Sequence, residues 1–157
     1  MPMFKKILYA TDFSPLARAA IEYVKGLKDA GAEEVVVVHV IDAKTTGFPQ
    51  GVNLMEKKTE LMFELPENEA RQFRELIEMA YKVKEEIEEE GLKVKIYLTA
   101  AADFSDRIVE VAQDEEAKVI VLGAHGKSFI EELVVGSVSH GVIEKSKVPV
   151  LVVKKGE

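Results

Sequence analysis

Five short runs of valine, isoleucine and leucine constrain this chain more than any other feature: residues 7–10 with Phe4 ahead of them, 35–41, 94–98, 119–122 and 148–153. A strand with one wet face alternates apolar and polar side chains. A strand covered on both faces reads instead as a nearly unbroken apolar run, the mark of a parallel sheet. Helical patterns fill the gaps. Ser14 suits an N-cap and Pro15 a first helical position, after which Leu16, Ala20, Val24 and Leu27 recur on one face and Gly31 closes the segment. Pro66 opens a longer helix whose stripe is Phe73, Leu76, Ile77, Ala80, Tyr81, Val83 and Ile87, ended by Gly91. A third spans about 105–115, with Ile108, Val109 and Val111 or Ala112 inward. A fourth starts near Ser137 and carries Val138, Val142 and Ile143, with Lys145 and Lys147 suited to its C-terminal dipole. Strand and helix alternate four times before a closing strand, which predicts an α/β doubly wound parallel sheet with right-handed crossovers. Residues 43–65 break the pattern and read as a long excursion or partly helical flap.

The 157 residues fit one domain, 1–157, which at this size buries roughly 70% of its unfolded surface. With no cysteine, disulfide frameworks, thiolate metal sites and thiol catalysis are excluded. The net charge of −7 argues against nucleic-acid binding, which draws its affinity from lysine and arginine facing phosphates. It leaves room for one phosphate-bearing ligand held by backbone amides. The amino end shows no signal-like leader and no run approaches a membrane span of ~20 apolar residues, so a cytoplasmic location and no membrane partner are expected.

The most informative stretch runs from Gly123 through Gly126 to Gly136, Ser137, Val138 and Ser139, from the end of the fourth strand to the start of the last helix. Glycines let the backbone approach a ligand closely, and free amides and hydroxyls at a helix start suit phosphate oxygens. The bland alternative is a loop with glycines for turns and Ser137 as an ordinary cap. Gly126-Lys127-Ser128 is not a P-loop tail, because Val121 stands where that motif needs glycine. Ser139-His140-Gly141 is no nucleophile elbow, since Ser137 stands where glycine is required. No G-x-G-x-x-G fingerprint occurs.

At the end of the first strand, Asp12 in Thr11-Asp12-Phe13-Ser14 suits contact with a nucleotide's sugar or base, or with a metal; otherwise it shapes the strand-to-helix turn. A response-regulator site is excluded, because Thr99 and alanines follow the third strand where a phosphoacceptor is needed. His39 reads as a satisfied core or cleft residue, His125 as a loop residue within reach of a phosphate, and His140 as surface; no metal-ligand spacing links them.

The opening 5–14, the second strand ending Val38-His39-Val40-Ile41-Asp42, the stretch 123–139 and the ending 146–153 together resemble the universal stress proteins. The resemblance spans nearly the whole chain except about 43–65. That family's nucleotide-binding pattern, G-x-x-G-x(9)-G-[ST], is complete here as Gly123, Gly126, Gly136 and Ser137. The resemblance implies a Rossmann-like, adenine nucleotide alpha hydrolase-like three-layer sandwich of five parallel strands in the order 3-2-1-4-5. Such an order opens a ligand crevice where it reverses, beside strands one and four. It implies the ATP-binding subclass, with Val40 meeting adenine through its backbone and Asp12 near the adenosine. Ala10, Leu122 and Gly123 would lie near the ribose, and Gly126, Gly136, Ser137, Val138 and Ser139 at the phosphates. Two positions depart from the pattern: Ala10, where nucleotide-holding relatives often carry proline, and His140-Gly141, which loosens the last helix.

The last strand would be an apolar edge. Such an edge tolerates Pro149 and invites pairing, and similar family members dimerise there, so a homodimer through 148–153 is expected. The leading expectation is a nucleotide-dependent stress or signalling switch holding ATP (or ADP or AMP), with Mg²⁺ or Mn²⁺ on the phosphates. The rivals are a slow ATP hydrolase or phosphotransferase, for which His125 is the one base in view, and an interaction module that ignores nucleotides. No catalytic residue is assigned. Which nucleotide and metal, which partner and which stress are not written in the sequence.

Overall fold

The computed structural model describes residues 3–123 and 136–154, Leu16 by its backbone alone. In chain order the elements are β1 (Lys6–Ala10), α1 (Pro15–Arg18), α2 (Ile21–Gly26), β2 (Glu34–Asp42), α3 (Lys58–Glu64), α4 (Glu67–Glu88), β3 (Lys93–Ala101), α5 (Phe104–Asp114), β4 (Val119–Gly123), α6 (Ser137–Lys145) and β5 (Val150–Val153). The five strands pair in parallel in the order β3-β2-β1-β4-β5, as the resemblance implies.

Both faces of this sheet are dry. Ile7, Tyr9, Val35, Val37 and Val121 point to one face and pack against Val24 of α2 and Val83 and Ile87 of α4. Leu8, Ala10, Val36, Val38, Val40 and Leu122 point to the other, against Ile108 and Val111 of α5 and Val142 of α6. Burial on both sides is why the strands read as unbroken apolar runs.

Four expectations need correction. The first helix is not continuous: α1 and α2 are separate, with the Ala20 amide on the Ala17 carbonyl (3.1 Å) and a 3-10 turn at Leu27–Ala30 before Gly31, which sits at φ 100°. The Tyr9 hydroxyl donates to that same Ala17 carbonyl at 2.6 Å and takes the place of a helical amide. Burial pushes this hydroxyl up to about 12, against the pull of Thr11 and Arg18, so it remains a neutral donor. Tyr81 and Ile143 are not core residues: they are 39% and 47% exposed, each one position off its helix's buried stripe. The last strand starts at Val150, two residues later than the apolar run, although the Pro149 carbonyl still accepts from Ile120 at 3.0 Å.

The fourth correction concerns 43–65, which is partly helical as expected, at Leu54–Lys57 and in α3, but is packed on the domain and not a loose flap. Phe48, Leu54 and Leu61 are buried with Phe73, Leu76, Ile77 and Leu98. Asn53, 6% exposed, donates to the Ile96 carbonyl and accepts from the Leu98 amide, both at 3.3 Å. Its amide thereby imitates a neighbouring strand and covers the outer edge of β3. No helix among the described residues is long and apolar enough to cross a membrane.

Candidate functional site

The strand order reverses between β1 and β4, so their helices leave toward opposite faces and a crevice opens at their carboxyl ends. Tyr9 pairs with Val121, and one step further along, Ala10 and Leu122 form its floor. Ala10 and Val40 are each 8% exposed and Leu122 is 4% exposed, and all three lie in one apolar cluster against which Val138 of α6 packs. Four positions distant in sequence are therefore brought to one mouth.

From β1 the chain turns tightly. The Thr11 amide still reaches the Val38 carbonyl (3.0 Å), after which the Phe13 amide donates to Thr11 Oγ1 (3.0 Å) and the Ser14 amide to Asp12 Oδ1 (2.9 Å). Ser14 Oγ then accepts from the Ala17 amide at 3.2 Å and caps α1. Asp12 thus shapes the turn with one carboxylate oxygen. Phe13 adopts φ 64°, a left-handed conformation that costs a non-glycine residue on the order of 1 kcal/mol. Its ring stacks on His39 with centroids 5.0 Å apart, and His39 Nδ1 lies 2.9 Å from the Thr11 carbonyl. His39, 9% exposed, is accordingly a satisfied residue that fastens β2 to this turn.

The facing wall is the start of α6. Gly136, at φ −62° and ψ 159°, is its N-cap and has no side chain with which to cap. Ser137 is exposed, Val138 half-buried, and Ser139 only 4% exposed. Ser139 Oγ donates to the Gly123 carbonyl at 2.8 Å, which ties the first turn of α6 to the end of β4. Gly123, Gly136, Ser137, Val138 and Ser139 are thereby assembled beside the Ala10–Leu122 floor. Gly126 and His125 lie outside the described residues. His140 is on the surface, its Nε2 2.7 Å from Glu144.

Of the structural parts of this mouth, the Ser14 cap and the turn role of Asp12 were among the expectations, while the Thr11 bond, the Phe13 conformation and the Ser139–Gly123 bond were not. The Thr11 and Asp12 side chains each accept from an amide two residues on, a turn habit of short polar side chains that was legible in principle. The left-handed Phe13 carried no signal, because nothing in a phenylalanine favours that conformation. The Ser139–Gly123 bond joins residues sixteen apart and needs the fold to appear.

The sequence profile of the Universal stress protein family matches residues 3–154. Universal stress protein MJ0577 of Methanocaldococcus jannaschii is 39% identical, with 98% of this chain and 96% of that protein aligned. The solved structure of MJ0577 superposes with a TM-score of 0.78 at 37% identity over 99% of both chains. A universal stress protein of Archaeoglobus fulgidus, solved in complex with dAMP, shares the fold at a TM-score of 0.63 and 24% identity, over 98% of this chain and 100% of that one.

Proposed function

The chain belongs to the universal stress protein family, and on that premise we propose that it is an ATP-binding member whose occupancy switches the surface around residues 123–139. The observation that carries this reading is the Ser139–Gly123 bond, which holds the start of α6, where Gly136 supplies no capping side chain, against the carboxyl end of β4. The first turn of α6, whose N-cap Gly136 brings no capping side chain, lies beside Ala10, Val40 and Leu122, with Val138 packed against them. Helix amides and their dipole grip an anion without any lysine or arginine, which reconciles phosphate binding with a chain of charge −7.

In this reading Val40 meets adenine through its backbone and Asp12 lies near the adenosine, while Ala10, Leu122 and Gly123 line the ribose. Gly126, Gly136, Ser137, Val138 and Ser139 hold the phosphates. Mg²⁺ or Mn²⁺ enters with the phosphates and offsets their charge. The whole of 1–157 acts as one nucleotide-binding domain in the cytoplasm. The A. fulgidus relative of the same fold was solved with an adenine nucleotide, dAMP. Residues 43–65 are packed on α4 and β3, so the switch is placed at the glycine stretch alone.

The homodimer rests on an asymmetry of the sheet. Asn53 covers the outer edge of β3, whereas β5 ends the sheet on the other side with Val150, Leu151 and Val152 half-buried. A two-fold partner presenting the same strand covers that edge.

Acid extraction of freshly purified protein, with chromatography of what is released, is expected to yield an adenine nucleotide. Calorimetry on stripped protein is expected to give a micromolar-range Kd for ATP with Mg²⁺, lost in Gly126→Val without change of fold. Light scattering on the same sample should give the mass of two chains. Wild-type protein that neither carries nor takes up an adenine nucleotide would overturn the reading.

A further inference from the structure

Gly141 sits in the interior of α6, where glycine is unfavourable relative to alanine. Conformational freedom is not the reason, because the left-handed glycines among the described residues are Gly31, Gly51 and Gly91. Space is. A Cβ on Gly141 would fall 2.7 Å from the Cβ of Ser105, in the first turn of α5, and closer still to its Oγ. Carbon atoms in proteins do not approach so closely, so one helix would have to move.

Ser105 has little freedom to yield. Its Oγ donates to Asp103 Oδ1 at 2.9 Å and accepts from Lys145 Nζ, on the last turn of α6, at 3.0 Å. Lys145 also binds Asp106 Oδ1 at 2.5 Å and lies 3.8 Å from Asp103. Asp103 in turn caps α5 through the Asp106 amide at 3.0 Å. The first turn of α5 is therefore fixed by its own Asp103, and Lys145 clasps α6 onto it, so a Cβ at Gly141 would strain this contact and push the start of α6 away. Gly141 lies two residues from Ser139, less than one helical turn, and Ser139 Oγ holds α6 to Gly123.

From this geometry we infer that Gly141 is a positioning residue: by letting α6 seat directly on Ser105, it sets the position of the phosphate-holding end of α6 at the strand mouth. The inference rests on the reading given under Proposed function for its ligand, but not for its packing. It also reverses the expectation that Gly141 weakens binding by loosening the helix. Here the missing side chain is what keeps the site assembled.

The test compares wild type, Gly141→Ala, Ser105→Gly and the double variants Ser105→Ala/Gly141→Ala and Ser105→Gly/Gly141→Ala. Each is titrated with Mg²⁺-ATP and with adenosine, with thermal melts to confirm folding. Gly141→Ala is expected to weaken ATP by roughly tenfold, about 1.4 kcal/mol, and adenosine far less, because adenosine rests on the strand ends. Loss of fold would weaken both ligands together. Removing Oγ in Ser105→Ala/Gly141→Ala should restore part of the ATP affinity, and removing Cβ as well in Ser105→Gly/Gly141→Ala most of it, with Ser105→Gly alone close to wild type. Wild-type ATP affinity in Gly141→Ala, or a loss that Ser105→Gly leaves unrelieved, would overturn the inference. Amide NMR shifts of Gly123 and Ser137 to His140 in nucleotide-free protein judge the packing separately. Shifts in Gly141→Ala that Ser105→Gly reverses support the positioning role even if wild type binds no nucleotide, in which case only the functional reading falls. Unchanged shifts sink the positioning role whatever the nucleotide result.

Discussion

Helices α5 and α6 lie side by side on one face of the sheet, and both begin at the carboxyl side of the strands. Their first turns are finished in opposite ways. Every helix start leaves amides without intrahelical partners. Helix α5 meets that need from its own chain: the Asp103 carboxylate accepts from the Asp106 amide at 3.0 Å and from Ser105 Oγ at 2.9 Å. Helix α6 starts at Gly136 in the same extended N-cap conformation, with no side chain to supply. A carboxylate at the N-cap disfavours anions at one helix end, and a hydrogen atom in its place brings no such charge to the other. The first turn of α5 carries Asp103 and Asp106 where that of α6 carries Gly136 and Ser139, and the candidate site lies at the end without a carboxylate.

The sharpest way to break this comparison is to give α6 the cap of α5. Gly136 is at φ −62° and ψ 159°, a backbone that any residue adopts, so Gly136→Asp should fold normally. Its melting temperature should hold or rise slightly, since aspartate exceeds glycine as an N-cap by a few tenths of a kcal/mol. The new carboxylate would occupy the amides and repel phosphate. Loss of two charge-assisted hydrogen bonds at about 1.5–3 kcal/mol each corresponds to a drop in Mg²⁺-ATP affinity of at least ~100-fold. Calorimetry on the folded variant decides it, and wild-type affinity would mean that the open end of α6 is not what holds the ligand.

Asp12 tests whether a carboxylate at the mouth behaves as Asp103 does. Its Oδ1 is committed to the Ser14 amide, which leaves Oδ2 for a nucleotide. Asp12→Ala removes both functions and should lower the melting temperature and weaken ATP roughly tenfold, the scale of one charged hydrogen bond. Asp12→Asn keeps an acceptor for Ser14, so it should melt like wild type while losing about threefold in affinity. If Asp12→Asn binds ATP as wild type does, the carboxylate serves the turn alone, and the resemblance to Asp103 is complete.

Most of the fold was legible because burial on both faces writes itself into strands as unbroken valine and isoleucine. Pairings such as Ala10 with Val38 on β2 follow once the order is known. Gly123 and Gly136 could be set at the end of β4 and the start of α6 because each is visible one at a time in the sequence. Features that depend on two distant residues were not legible. Nothing in Asn53 announces that it imitates a strand against Ile96 and Leu98. Gly141 reads as a weak point of a helix until Ser105 is seen beneath it. The packing of 43–65 was missed because Leu54, Leu61 and Leu65 repeat at helical spacing for only two or three turns, and Phe48 lies outside that spacing and is buried against Phe73 of α4.

The mildest perturbation is on the closed end itself. Donation from the Asp106 amide and from Ser105, with Lys145 nearby, holds the Asp103 carboxyl below its ordinary 3.8. A carboxylate whose folded value is depressed stabilises the fold above its unfolded value, and that contribution is lost as pH falls through the folded one. Glu115 acts in the same direction: burial alone would raise it, but Lys95 and Lys6 outweigh burial and lower it. Asp103→Asn keeps a good N-cap and removes only the charge and its attraction to Lys145, 3.8 Å away. Its melting temperature should therefore lie about 1–2 °C below wild type at pH 7. The gap should shrink as pH drops below 3.8, with Glu115 still giving both proteins an acid-sensitive melt. ATP affinity at pH 7 should not change, because the candidate site lies at α6 and the asparagine still accepts from the Asp106 amide. A gap that persists in strong acid would assign the loss to the cap rather than the charge. A fall in ATP affinity would place α5 inside the site and end the division between a closed helix and an open one.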